Sequence, residues 1–135
     1  KFLRIDVMPA HGMMAPQADA KDAGPGHTGA GMGFLVHLGS TMCSGNPMGD
    51  EGVDCKRENR PSANFASFDV SKQKVIVDLA ALLETSDVSM NKGGQPGCMS
   101  APDDPECAAI FEQIGVDLAT GESTGTPKFL SVTGS

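Results

Sequence analysis

Apolar and polar residues alternate from the start of the chain: Leu3, Ile5 and Val7 fall on one side of residues 2–8, and Phe2, Arg4 and Asp6 on the other. A period of two predicts a strand with one buried face. Pro9 ends it. Residues 9–31 then carry Gly or Pro at Pro9, Gly12, Pro16, Gly24, Pro25, Gly26, Gly29 and Gly31, which reads as a long irregular excursion. Phe34, Val36 and Leu38 set against Leu35, His37 and Gly39 predict a second strand, and this gives His37 a defined direction. Residues 39–61 return to loop chemistry. Two short apolar runs, 63–68 and 74–79, are separated by Asp69-Val70-Ser71-Lys72-Gln73 and predict an antiparallel hairpin. Leu79-Ala80-Ala81-Leu82-Leu83 has helix formers for a single turn, and 84–102 is a loop.

One segment has a clear helical period. Cys107, Ile110, Phe111 and Ile114 recur at i, i+3, i+4 and i+7, with Asp104 as the expected N-cap, Pro105 at the first helical position and Gly115 as the stop. A Gly/Thr-rich link over 120–126 leads to a last strand around 128–132. There is no internal repeat and no regular alternation of strands with helices, so a parallel sheet is not expected. The pattern predicts a mainly β protein: an antiparallel, Greek-key-like β-sandwich with long loops and one short helix.

Composition sharpens this picture. A chain of 135 residues has room for one domain. Seventeen Gly and nine Pro confirm a loop-rich fold, and six Phe with no Trp or Tyr leave a thin core. The net charge of −7 repels nucleic-acid phosphates and anionic membrane surfaces. No apolar run approaches the roughly 18 residues of a membrane span. A strand that begins at the first residue, without the usual polar lead-in, predicts a single domain over residues 1–135 that lacks an N-terminal segment.

The four cysteines fall as two close pairs, Cys43 with Cys55 and Cys98 with Cys107. These gaps are too long for a zinc knuckle, so disulfides between nearest neighbours are expected, and with them a periplasmic or secreted location. Each short bridge would stabilise the fold by about 3 kcal/mol by restricting the unfolded chain. His11 and His27 sit in the excursion and read as solvated loop residues. His37, fixed on a strand, reads from pattern alone as a hydrogen-bonded structural histidine or a metal ligand. Gly39-Ser40-Thr41 is not a hydrolase elbow, and glycines 29, 31 and 33 precede a strand rather than a helix, so neither a nucleophile nor a phosphate cradle is implied. Eight Met, among them Met8, Met13, Met14 and Met42, form no MxM or MxxM array and read as flexible apolar filler. The acidic stretch Gly49-Asp50-Glu51-Gly52-Val53-Asp54 lacks the ligand order of an EF-hand and reads as a solvated loop.

Five blocks together resemble a known family. They are Lys1-Phe2-Leu3-Arg4-Ile5-Asp6; His37-Leu38-Gly39-Ser40-Thr41 with Cys43; Asn59-Arg60-Pro61 after Cys55; Gly97-Cys98-Met99-Ser100; and Asp103-Asp104-Pro105-Glu106-Cys107. In order and spacing they resemble the MbnP-like proteins, the four-cysteine members of the metallo-mystery pair family. The resemblance implies an exported, non-enzymatic copper-binding protein with a β-sandwich core. It also implies a partner, a MauG-like dihaem cytochrome c peroxidase that converts a tryptophan of the protein to kynurenine at the copper site. This chain contains no Trp. In the family that residue and a further His lie upstream of the block matching residues 1–6, so only His37 carries over as a metal ligand. The other reading of the same residues is a disulfide-stapled β-sandwich that binds a partner without metal.

Overall fold

The structure, a computed structural model, describes residues 3–8, 10, 33–46 and 52–133. Among them are seven strands and two helices: β1 (Leu3–Val7), β2 (Phe34–Leu38), β3 (Thr41–Ser44), β4 (Asp54–Arg57), β5 (Val75–Val77), α1 (Leu79–Leu83), β6 (Gly97–Cys98), α2 (Cys107–Ile114) and β7 (Leu130–Val132). The fold is mainly β, with antiparallel pairs in three small sheets and two disulfides, as the pattern predicts.

The central sheet runs in the order β1-β2-β6. β1 lies antiparallel to β2 with Leu3 opposite Leu38, Ile5 opposite Val36 and Val7 opposite Phe34. Directly opposed residues share a face. One face is therefore apolar, and the other carries Arg4 opposite His37 and Asp6 opposite Leu35. β6 adds to the other edge of β2 in parallel, placing Gly97 against Leu35 and Cys98 against Val36. Gly97 has φ +84°, and a Cβ there would lie 2.0 Å from the Leu35 carbonyl oxygen, so only glycine admits this approach.

The apolar face packs under α2. Phe34, Val36 and Leu38 of β2, Cys98 of β6, Leu82 of α1, Val116 and Phe129 form one buried cluster with Cys107, Ile110, Phe111 and Ile114. The four helix positions are those of the sequence stripe. The helix starts later than its cap suggests. The regular α-helix begins at Cys107, while Asp104 organises the preceding turn: its Oδ1 accepts from the Glu106 N–H at 3.1 Å and its Oδ2 from the Met99 N–H at 2.9 Å. Gly115 ends the helix in the left-handed region at φ 65°. The short α1 is a second helix, capped by Asp78, whose Oδ1 accepts from the Ala81 N–H at 3.1 Å.

Two further expectations are corrected. Residues 63–68 form no strand, and β5 pairs instead with β7, Val75 opposite Val132, Ile76 opposite Ser131 and Val77 opposite Leu130. The intervening segment is not a hairpin turn, because Asp69 gathers it into a tight coil. Its carboxylate accepts from the Ser71 N–H and hydroxyl, and its carbonyl accepts from the Lys72 and Gln73 N–H groups. Lys74 then donates its N–H to Thr133 Oγ1, committing the chain to β7. The second correction concerns residues 39–61, which hold an antiparallel pair rather than only loop. β3 and β4 align Cys43 with Cys55 across the ladder. This ribbon is mostly exposed, so hydrophobic alternation had no core to encode, and the disulfide supplies the cross-strand tie.

Candidate functional site

His37 sits on the polar face of the central sheet, in the next-to-last position of β2, with its side chain 9% exposed. Its Nε2 lies 3.3 Å from Asp6 Oδ1 on the neighbouring strand. Asp6 is itself gripped by Arg4, whose Nε and Nη2 donate to the carboxylate at 2.9 and 2.6 Å. Arg4 first, then His37, holds the Asp6 carboxyl below its usual range, against an opposing effect of desolvation. The three side chains form a chain of charge and hydrogen bonding on one face: guanidinium, carboxylate, imidazole.

The backbone around His37 is equally constrained. Ser100 donates its hydroxyl to the His37 carbonyl at 2.8 Å and accepts from the Gly39 N–H at 3.0 Å. Ser100 is 1% exposed and has φ 67°. It follows Cys98 of β6, so the Cys98–Cys107 bridge, α2 and the His37 strand are joined through it. Asn59 closes the other side, donating from Nδ2 to the Gly39 carbonyl at 2.9 Å and to Thr41 Oγ1 at 3.3 Å. Both residues belong to blocks that carried the family resemblance. Their role is to hold the backbone of β2 and of the link into β3.

The cysteines pair as expected, Cys43 with Cys55 and Cys98 with Cys107, and among the described residues none is free. Thiolate ligation is thereby excluded for all four. Met8 and Met42 are 65% and 60% exposed, which overturns the filler reading for these two. They lie at the margin of β1 and in an exposed ribbon, where no core is available to fill. His11, His27, Met13, Met14 and residues 49–51 lie outside the described residues. Among the described residues no cluster of three or more His, Cys, Asp or Glu could hold a metal. The His37 imidazole, with the Asp6 carboxylate against its Nε2, suits a borderline transition metal in chemistry, and one imidazole falls short of a full ligand set.

A comparison with solved structures finds MbnP from Methylosinus trichosporium, 43% identical over 73% of this chain, with a TM-score of 0.63. The chain is an MbnP-like protein. No protein-family model and no curated protein sequence matches it. The MbnP-like chain spans 38% of the length of the Methylosinus protein. No helix among its described residues is long and apolar enough to cross a membrane.

Sequence pattern placed His37 on a strand but did not reveal its partner. Alternation put Asp6 on the polar side of the first strand, and the missing piece was the register. Only with Leu3 opposite Leu38 does Asp6 come within reach of the ring.

Proposed function

We propose that this MbnP-like chain belongs to an exported copper-binding protein, acting as a binding protein rather than a catalyst, with His37 as one ligand. The observation that carries this reading is the pairing of a nearly buried imidazole with a carboxylate across two strands, 3.3 Å apart. A carboxylate beside a ligating histidine orients the ring. Here Asp6 would do so from the rigid β1–β2 pair, while Arg4 keeps the carboxylate ionised. Copper is the cargo, and imidazole nitrogen serves it in either oxidation state.

One imidazole does not complete a site, and the chain spans 38% of the MbnP to which it is similar. The remaining ligands are accordingly assigned to an upstream segment bearing a kynurenine derived from tryptophan, formed by a MauG-like dihaem peroxidase. Two disulfides support export to an oxidising compartment.

The test is a copper titration of the longer, peroxidase-matured protein against a competing chelator. His37→Ala should weaken binding at least tenfold, about 1.4 kcal/mol, with both disulfides intact. Unchanged affinity would remove His37 from the site. Tight, stoichiometric binding by the 135-residue chain alone would contradict the division of ligands, and no binding by the matured protein would favour a metal-free interaction module.

A further inference from the structure

β5 presents apolar residues to solvent along its whole length: Val75, Ile76 and Val77 are 47%, 41% and 54% exposed. It belongs to a two-stranded sheet with β7, so among the described residues one of its edges has no ladder partner. The direction of its backbone groups follows from the bonds it does make. The Lys74 carbonyl accepts from the Thr133 N–H, and the Asp78 N–H donates to the Phe129 carbonyl. Positions 74, 76 and 78 therefore turn their backbone groups toward β7, and by alternation Val75 and Val77 turn theirs to the open edge.

The residues along that edge read Lys74-Val75-Ile76-Val77-Asp78, a sequence that complements itself when reversed. We propose that the open edge of β5 pairs antiparallel with the same strand of a second copy, about a two-fold axis through Ile76. In that register Val75 faces Val77 of the second copy and the reverse, and the outward N–H and C=O groups of the two valines form four hydrogen bonds. Ile76 meets its own counterpart across the axis. Lys74 stands opposite Asp78, twice by symmetry, on the same face as Ile76. These are non-hydrogen-bonded positions, where opposed side chains come closest.

The charge arrangement selects this occupant. Reversal of the strand brings opposite charges together at both ends, whereas a parallel copy in register would set lysine against lysine and aspartate against aspartate. Both residues are exposed, and Asp78 keeps its second carboxylate oxygen beyond the Oδ1 that caps α1. The interface is isologous, so it closes at two chains and does not propagate. Three-residue strands bury little area, which makes the dimer weak, with an expected Kd on the order of 0.1 mM. The inference is independent of the copper reading.

Sedimentation equilibrium of the 135-residue chain from 10 μM to 1 mM, at low salt, tests it. The unaltered chain should shift from monomer to dimer across that range. Lys74→Asp and Asp78→Lys should each weaken self-association at least tenfold, since each sets like charges opposite one another. Mixed in equal amounts, the two variants should recover dimer, because each then supplies the charge the other lacks. Asp78 also caps α1, so Val75→Pro serves as a second variant that leaves the cap and both charges in place. Its lost N–H is one that points to the open edge, so pairing with β7 survives while the dimer is lost. A chain monomeric at 1 mM, a dimer that tolerates Val75→Pro, or a charge-reversed mixture that fails to recover would overturn the proposal. The first of these would leave the edge to a strand of a different protein.

Discussion

Ser100 is where the fold and the candidate site meet, and its removal gives the most direct test of how they are coupled. The side chain is fully buried and makes two hydrogen bonds, giving one to the His37 carbonyl at 2.8 Å and accepting one from the Gly39 N–H at 3.0 Å. Ser100→Ala deletes both without altering the apolar packing. Each bond contributes about 1 kcal/mol net, and a buried N–H left without an acceptor costs a further 1 to 3 kcal/mol or so. The buried Gly39 N–H loses its acceptor in the variant, while the His37 carbonyl, as an acceptor, tolerates the loss better. The expected destabilisation is therefore about 2–4 kcal/mol, a large share of the roughly 5–15 kcal/mol that holds a domain together. Urea unfolding of the oxidised chain, followed by far-ultraviolet circular dichroism, should show a lower midpoint with an unchanged slope. Because Ser100 steadies the backbone beneath His37, the proton resonances of the His37 ring should also shift or broaden in the variant. A loss below about 0.5 kcal/mol, the size of an ordinary surface change, would refute the reasoning and mean that Ser100 does not anchor this strand.

Phe111→Ala, at a ring 1% exposed beneath the central sheet, should cost about 3–5 kcal/mol in the same urea assay, and a loss of surface size would mean that α2 does not cover the core. Burial pushes the Glu106 carboxyl above its usual range, so the folded state binds this proton more tightly than the unfolded chain does. The stability it contributes is complete below the unfolded carboxyl range, near pH 4, and is lost as pH rises through the raised folded value. Glu106→Gln keeps an acceptor for the Lys92 N–H and removes the charge, so its Tm should match the parent near pH 4 and exceed it at pH 8, and equal Tm values at both would contradict this. Graded reduction with alkylation and mass mapping should open Cys43–Cys55 before Cys98–Cys107, because Cys43 is exposed and both sulfurs of the second bridge belong to fully buried residues. The opposite order would mean that local opening near α2 precedes any exposure of the ribbon.

Local pattern determined the parts of this protein whose physics is local. Alternation over residues 3–7 and 34–38 identified both strands of the central pair and their buried faces, because each has one face on a core. The spacing of Cys107, Ile110, Phe111 and Ile114, with Gly115 after it, defined α2 and its buried stripe, and short loops between cysteines defined both bridges. The mainly β class and the strand position of His37 followed from the same patterns. Tertiary structure alone decided what depends on register between distant segments. Asp6 reaches His37 across 31 residues, and Ser100 reaches the His37 carbonyl across 63. β5 left its expected neighbour for β7, some 55 residues on, since three exposed apolar residues carry no preference among partners and the turn chemistry of Asp69 excluded the nearer one. Where burial faces one side, periodicity records it in the chain; where a contact rests on one hydrogen bond between remote residues, nothing in either neighbourhood names its partner until the strands are aligned.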